Sequence, residues 1–337
     1  RGAHSSTPFD SWKESMMRVL QSAVVKKAAG SLATLVGVAI FVFFMLRAIP
    51  GDAISASLGT EAAGLTEVQR KSLEEYYGLD QSLASQFFSW VGNLFQGNLG
   101  FSVRAQQSVL DLTAAALPVT FQLAVFAIIL ALAIGVPVGM LAASRVGKPR
   151  DVIGQALSLI GLSVPAFLLA TTLLTFLAVN LGFNPNGLGY KTFFEDPVVN
   201  LQQMLLPSLV LGFGISAPII RTTRAAVLDV SGQDFVRTAK AKGVSTRRLQ
   251  FKHILRNALI PIVTMTGLQF GYLLGGAVVV EQIFSLPGVG RQVLTGIQQK
   301  EYALVQSTVL VIAAAFVIVN LLTDLLYRAI DPRVRAE

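Results

Sequence analysis

Thr120-Phe-Gln-Leu-Ala-Val-Phe-Ala-Ile-Ile-Leu-Ala-Leu-Ala-Ile-Gly-Val-Pro-Val-Gly-Met-Leu-Ala142 is a run without one charged side chain. It reaches the roughly 17 to 25 residues that a bilayer-spanning helix needs. Working outward, similar apolar stretches lie at 28–46, 153–181, 205–220, 259–280 and 304–326. The third span, 153–181, is long enough to tilt or kink, and Pro165 in Ser163-Val164-Pro165 marks the expected break. The fourth, 205–220, is short and carries Gly212 and Gly214. The expected fold class is an all-α membrane protein with six transmembrane helices.

The whole composition agrees. Of 337 residues 53% are apolar and 14% charged, with a mean hydropathy of +0.61, which is not the balance of a soluble domain. There are no cysteines, so disulfides, thiolate metal sites and cysteine nucleophiles are excluded, and His4 and His253 cannot make a histidine-rich metal centre. The formal charge of +8 is explained by where it sits. With the N-terminus placed inside, 20 of the 27 basic residues fall in cytoplasmic segments, as the positive-inside rule requires, and no nucleic-acid partner is needed. Arg47, Arg70, Lys71, Arg104, Lys191, Arg291 and Lys300 remain outside, in loops shared with acids such as Glu74, Glu75, Glu195 and Asp196. Both termini are therefore expected in the cytoplasm.

Residues 1–27 read as a cytoplasmic N-terminal segment. Its start is polar without clear periodicity, fitting a native extension or a cloning remnant, with Met16 or Met17 as alternative starts. Residues 28–326 form the expected transmembrane domain, and 327–337 a cytoplasmic tail. Within the external loop 51–117, stretches 67–77 and 86–95 have weak helical amphipathicity. Phe87, Phe88, Trp90, Leu94 and Phe95 give the second an apolar face, suited to the membrane interface or to an outside partner.

The spans lack paired acids and any serine and histidine set for intramembrane hydrolysis, and the chain has no Gly-x-x-x-x-Gly-Lys-Ser/Thr phosphate loop. Energy, if used, must come from another chain. Asp324 is the clear ionisable candidate within a span, and Arg328 one turn later makes an interfacial ion pair its simplest explanation.

The cytoplasmic loop 221–258 is more informative. Ser231-Gly-Gln-Asp-Phe-Val-Arg-Thr-Ala-Lys-Ala-Lys-Gly243, followed by Val-Ser245-Thr-Arg-Arg-Leu-Gln-Phe-Lys-His253-Ile-Leu-Arg-Asn-Ala-Leu-Ile-Pro261, reads as helix, turn, helix. Ser231 is the expected N-cap with Asp234 three residues on, Gly243 the left-handed terminator, and Ser245 the cap of the second helix. The residues alone leave two readings open, a basic loop touching anionic lipid and a lever toward a partner.

This segment resembles the cytoplasmic motif of ABC importer permeases, Glu-Ala-Ala-x-x-x-Gly. Aligned on Gly243, only Ala239 and Gly243 match the general form, and Pro261 lies some five residues beyond the general spacing. The peptide-permease version, Arg-Thr-Ala-x-Ala-Lys-Gly and then Arg-Asn-Ala-Leu-x-Pro, is similar to Arg237 to Gly243 and Arg256 to Pro261. The resemblance extends to Arg47-Ala-Ile-Pro-Gly-Asp52, Gly78-Leu-Asp-Gln81, Gly97-Asn-Leu-Gly100, Gly161-Leu-Ser-Val-Pro165, Glu281-Gln-Ile-Phe-Ser-Leu-Pro-Gly-Val-Gly-Arg291 and Asp331-Pro-Arg-Val-Arg335. The chain resembles the B-type permease subunit of dipeptide or oligopeptide ABC importers.

That resemblance implies a type I importer permease in the cytoplasmic (inner) membrane of a prokaryote. It implies a homologous second permease, two ATP-binding cassette ATPases that bind ATP and Mg, an external solute-binding protein, a peptide substrate and surrounding lipid. It implies no catalytic, cofactor-binding or metal residue in this chain. The helix near 232–242 is implied to dock on an ATPase, with Asp234, Arg237, Thr238, Ala239, Ala241, Lys242 and Gly243 as coupling residues. Ser216, Thr264, Thr266 and Gln269 are candidates for lining the pathway. Phe284, Leu286, Pro287 and Gly288 are candidates for an external gate, the same apolar loop also suiting contact with lipid. Gly267, Gly271 and Gly275 share one helical face, for close packing or for the pathway. Relatives of the family also carry metal chelates, glutathione or oligosaccharides, and a stand-alone channel or secondary carrier is the alternative of a different class.

Overall fold

The structure, a computed structural model, describes residues 8–48, 64–76, 80–182, 185 and 189–330. Helix α1 (Pro8–Ala48) is followed by helices α2 (Glu67–Tyr76) and α3 (Leu83–Phe95). A small hairpin, β1 (Phe101–Ser102) with β2 (Gln107–Ser108), leads into α4 (Val109–Ser144). Then come α5 (Pro149–Ser163), α6 (Ala166–Leu181), α7 (Pro197–Ser231) and α8 (Asp234–Ala241). A turn at Thr246–Arg248 and a π-helical segment, Leu249–Leu255, run into α9 (Arg256–Gly276). Two short helices, α10 (Val278–Ile283) and α11 (Val289–Gln298), precede α12 (Tyr302–Ile330).

The centre of the bundle is the α4–α7 pair, and small residues bring it together. A Cβ on Gly135 would lie 2.6 Å from Ile219, one on Gly139 2.6 Å from Thr223, and one on Gly212 2.9 Å from the Ala127 carbonyl. Buried Ala124, Ala127 and Ala131 continue the seam. In lipid there is little hydrophobic drive between helices, so such close backbone packing is what holds two spans together. Helix starts are fixed locally: the Ser108 hydroxyl accepts from the Asp111 N–H at 3.0 Å, and Asp196 accepts from the Val198 and Val199 N–H groups at 3.1 Å.

Among the described residues five helices are long and apolar enough to cross a membrane, or six if a bent pair counts as one span. That pair is α5 and α6, which meet at 93°, a sharper turn than the kink expected at Pro165. Proline removes one helical hydrogen bond and drives Val164 into an extended conformation. The angle also follows from packing: Gly161 sits against Ala217 of α7, and Gly154 against Ala142 of α4. The fourth span is longer than the apolar stretch 205–220, because its polar ends are helical too. Asn200 and Gln203 are buried at one end, where Gln203 donates to the Gly189 carbonyl at 2.7 Å, and Arg224 is paired at the other. The fifth span stops at Gly276 rather than continuing to residue 280.

Two glycines of the fifth span serve helix packing. Gly267 lies directly against Thr323, and a Cβ on Gly271 would sit 2.6 Å from the Phe316 ring, both on α12, while Gly275 faces open space. Near the C-terminal end of α1, Trp90 of α3 stacks on Phe43 with ring centroids 5.9 Å apart, leaving Phe88 and Phe95 exposed. The motifs around 47–52 and 78–81 lie partly, and 331–335 wholly, outside the described residues, as do the side chains of Asp324 and Arg328.

Candidate functional site

Helix α8 is short and packs against the end of α7 and the π-helical segment. Val236 is fully buried and Ala239 half-buried, packing with Val230, Leu249, Ile254 and Ala258. The C-terminus of the helix closes as the sequence demands. Gly243 has φ +74°, its N–H donates to the Lys240 carbonyl at 3.0 Å, and the Val244 N–H donates to Ala239 at 3.2 Å. This is a Schellman motif, with Val244 packed against the same cluster. The N-terminus differs from expectation. Ser231 is the last residue of α7 and donates back to the Val227 carbonyl at 2.6 Å, so Gln233 occupies the cap position without a side-chain bond. A serine at the end of an established helix satisfies its hydroxyl on the preceding turn. Ser245 holds the expected cap position of the following turn, also without a side-chain cap bond.

The coupling residues therefore divide between two faces. Asp234, Arg237, Thr238, Ala241 and Lys242 are exposed, whereas Ala239 turns toward the chain's own core. Phe235, which sequence reasoning missed, is exposed beside them. Its signal was available: Phe235 is out of phase with Val236 and Ala239. The Arg237–Asp234 pair, at 3.7 Å and open to solvent, contributes little stability.

Segment 278–291 is built around one carboxylate. Glu281 on α10 is wholly buried; Thr120 of α4 donates to its Oε1 at 2.6 Å, and the Arg291 N–H donates to its Oε2 at 2.9 Å. The Gly290 N–H is a further donor. Thr120 Oγ1 in turn accepts from the Val289 N–H at 2.9 Å. Together the two side chains satisfy the free amides at the start of α11. Burial pushes the Glu281 carboxyl above its ordinary range, and these hydrogen bonds pull in the opposite direction.

Phe284 and Leu286 are buried in the main core cluster rather than set against lipid, and Ser285 takes φ +54° to turn the chain between them. Pro287 and Gly288 line a cavity of about 470 Å³, with Arg291, Tyr190, Thr192 and Glu301. Glu301 is held by the Ser102 hydroxyl at 2.6 Å and the Arg104 N–H at 2.9 Å.

The four pathway candidates do not come together. Ser216 is buried and donates to the Phe213 carbonyl at 2.7 Å, while Thr264 and Thr266 bond to carbonyls of their own helix. Gln269 lines a groove of about 220 Å³ at the α5–α6 bend with Tyr272, Phe213 and Val164.

Comparison with known proteins explains the arrangement. The family described as binding-protein-dependent transport system inner membrane component matches residues 135–336, and its N-terminal companion family matches 16–124. The chain belongs to this family. It is an inner-membrane permease component of bacterial ABC importers. The glutathione transport system permease protein GsiC of Pectobacterium atrosepticum is 40% identical over 313 residues, covering 92% of this chain and 98% of that one. GsiC of Escherichia coli K12 is 38% identical over 313 residues, covering 93% and 98%. A chain from an inward-facing structure of the MetNI methionine ABC transporter shares the fold, with a TM-score of 0.52 at 17% identity over 65% of this permease and 96% of that chain.

Sequence reasoning quoted Glu281 only as part of a motif and passed over the Asp151–Arg224 pair. Both depend on partners far away in sequence, 161 and 73 residues respectively.

Proposed function

We propose that this permease is one half of the pore of an ATP-driven importer for glutathione and chemically similar small peptides. The observation that carries the substrate class is the identity of 38 to 40%, along nearly the whole chain, to permeases named for glutathione transport. Dipeptides and oligopeptides are the first expectation from the sequence and glutathione an alternative to them; these relatives support the alternative better. A homologous second permease completes the pore, an external binding protein delivers the substrate, and two ATPases bind ATP and Mg on the cytoplasmic side. The exposed face of α8, with Asp234, Phe235, Arg237, Thr238, Ala241 and Lys242, docks on an ATPase. Ala239 and Gly243 hold that face in place from behind, which supports a rigid lever that transmits nucleotide-driven closure to the spans. At the other end, Phe284 and Leu286 anchor the external gate, and Pro287 and Gly288 form its cavity wall.

The test is ATP hydrolysis by the assembled complex in lipid, with the binding protein loaded in turn with glutathione, a dipeptide, a metal chelate or an oligosaccharide. Glutathione is expected to give the largest stimulation. Stimulation by one of the other ligands and none by glutathione would overturn the substrate assignment while leaving the permease role standing.

A further inference from the structure

Glu281 is the one carboxylate among the described residues that is both wholly buried and bonded across three elements, and the coupling mechanism makes no use of it. Its oxygens join α10, which carries it, to Thr120 of α4 and to the first amides of α11. The cradle is shaped to the carboxylate. A Cβ on Gly288 would fall on the Glu281 carboxyl carbon and oxygens, and one on Gly290 would lie 3.0 Å from Oε2 and 2.8 Å from Val278. Gly288 has φ −89°, a conformation open to any residue, so its backbone does not require glycine. The space needed by Glu281 does. Arg291 supplies its backbone N–H to this carboxylate and lines the cavity outside with Pro287 and Gly288. The same bonds that satisfy the start of α11 therefore fix one wall of the external cavity to α4.

We propose that Glu281 and Thr120 are positioning residues that latch segment 284–288 and helix α11 to α4, so that the outer cavity wall and the central span move as one body during transport. This rests on the reading of the chain as an ATP-driven permease. Without the latch the wall can open independently of the bundle, and nucleotide is hydrolysed without a sealed outer end.

Three variants of the complete complex remove the latch by different means. Thr120→Val deletes the hydroxyl, Glu281→Gln keeps the shape but loses the charge, and Gly288→Ala fills the cradle. Thr120→Ser is the conservative control. Leaving a buried acceptor or donor unpaired shifts a two-state balance by about tenfold or more. In assembled Thr120→Val and Gly288→Ala complexes, substrate moved per ATP is therefore expected to fall by about tenfold, with a smaller fall for Glu281→Gln. Hydrolysis without binding protein is expected to rise, and Thr120→Ser to restore the wild-type ratio. A second reading does not depend on transport: amide hydrogen exchange in 284–298 is expected to quicken in Thr120→Val and not in Thr120→Ser. If the wild-type complex itself fails to transport, the permease reading fails and exchange alone judges the latch. Wild-type ratios with unchanged exchange in Thr120→Val and Gly288→Ala would overturn the proposal. So would losses that merely follow the amount of complex assembled, with no rise in uncoupled hydrolysis.

Discussion

Arg224 grips Asp151 with two bonds, Nε to Oδ1 at 2.7 Å and Nη2 to Oδ2 at 2.9 Å, and the Gly147 N–H and Gln155 amide add two more donors. Asp151 is 2% exposed, and the pair ties the start of α5 to the C-terminal half of α7. Removing one partner of such a pair is destabilising, because the other charge is left uncompensated. The Arg224 side chain is 24% exposed, so water relieves part of that cost in Asp151→Ala. Arg224→Lys keeps the charge but loses the planar fork, and a smaller loss is expected. Thermal unfolding of the purified complex should rank wild type above Arg224→Lys and Arg224→Lys above Asp151→Ala; equal midpoints would contradict the clamp. At Gly267 the prediction is steric. Its Cβ position is already occupied by Thr323, so Gly267→Ala is expected to lower stability by about 1 to 3 kcal/mol, as overpacking does. Gly275→Ala, in open space, should cost far less by the same measurement.

At the scale of the element, α8 separates two kinds of failure. Arg237→Glu and Phe235→Ala alter the outward face alone, so assembly-independent stability should stay near wild type while substrate moved per ATP falls. Ala239→Glu pushes a charge among Val236, Leu249 and Ile254, and Gly243→Val imposes a β-branched residue at φ +74°. Both should weaken the seating of the lever as well as coupling. Thermal stability read beside the transport ratio distinguishes the pairs, and four variants with wild-type ratios would return the basic loop to a lipid-contact role. The end of α8 was legible in the sequence at Gly243, while its packed side was not: Ala239, read among the docking residues, turns inward beside Val236 and Leu249. Nor was the cap of α8, because the slot after Ser231 is decided by where α7 stops. The same limit applies to the longer helices. Hydropathy ends where Asn200, Gln203 and Arg224 begin, yet the helix continues, since each of those side chains finds a partner that only the folded chain supplies. Pro165 marked the position of the α5–α6 bend, while its angle depends on surfaces of α4 and α7.

For the whole molecule, the distribution of lysine and arginine predicts both termini in the cytoplasm. The absence of cysteine makes single-cysteine labelling direct. Lys148→Cys and Arg247→Cys should be protected in sealed right-side-out cells, and Lys191→Cys and Glu75→Cys should react. External labelling at Arg247→Cys would contradict the orientation. With that orientation α8 is expected on the ATPase side and the Glu281 cavity on the binding-protein side, the polarity an importer needs.

The central claim is that this chain conducts substrate only as part of an ATP-driven, binding-protein-dependent machine. Its most direct test is uptake of labelled glutathione into proteoliposomes that hold the complete complex, with ATP and binding protein supplied separately or together. Uptake against a gradient is expected only when both are present. Uptake by this chain alone, without nucleotide or binding protein, would contradict the account and identify a channel or secondary carrier instead.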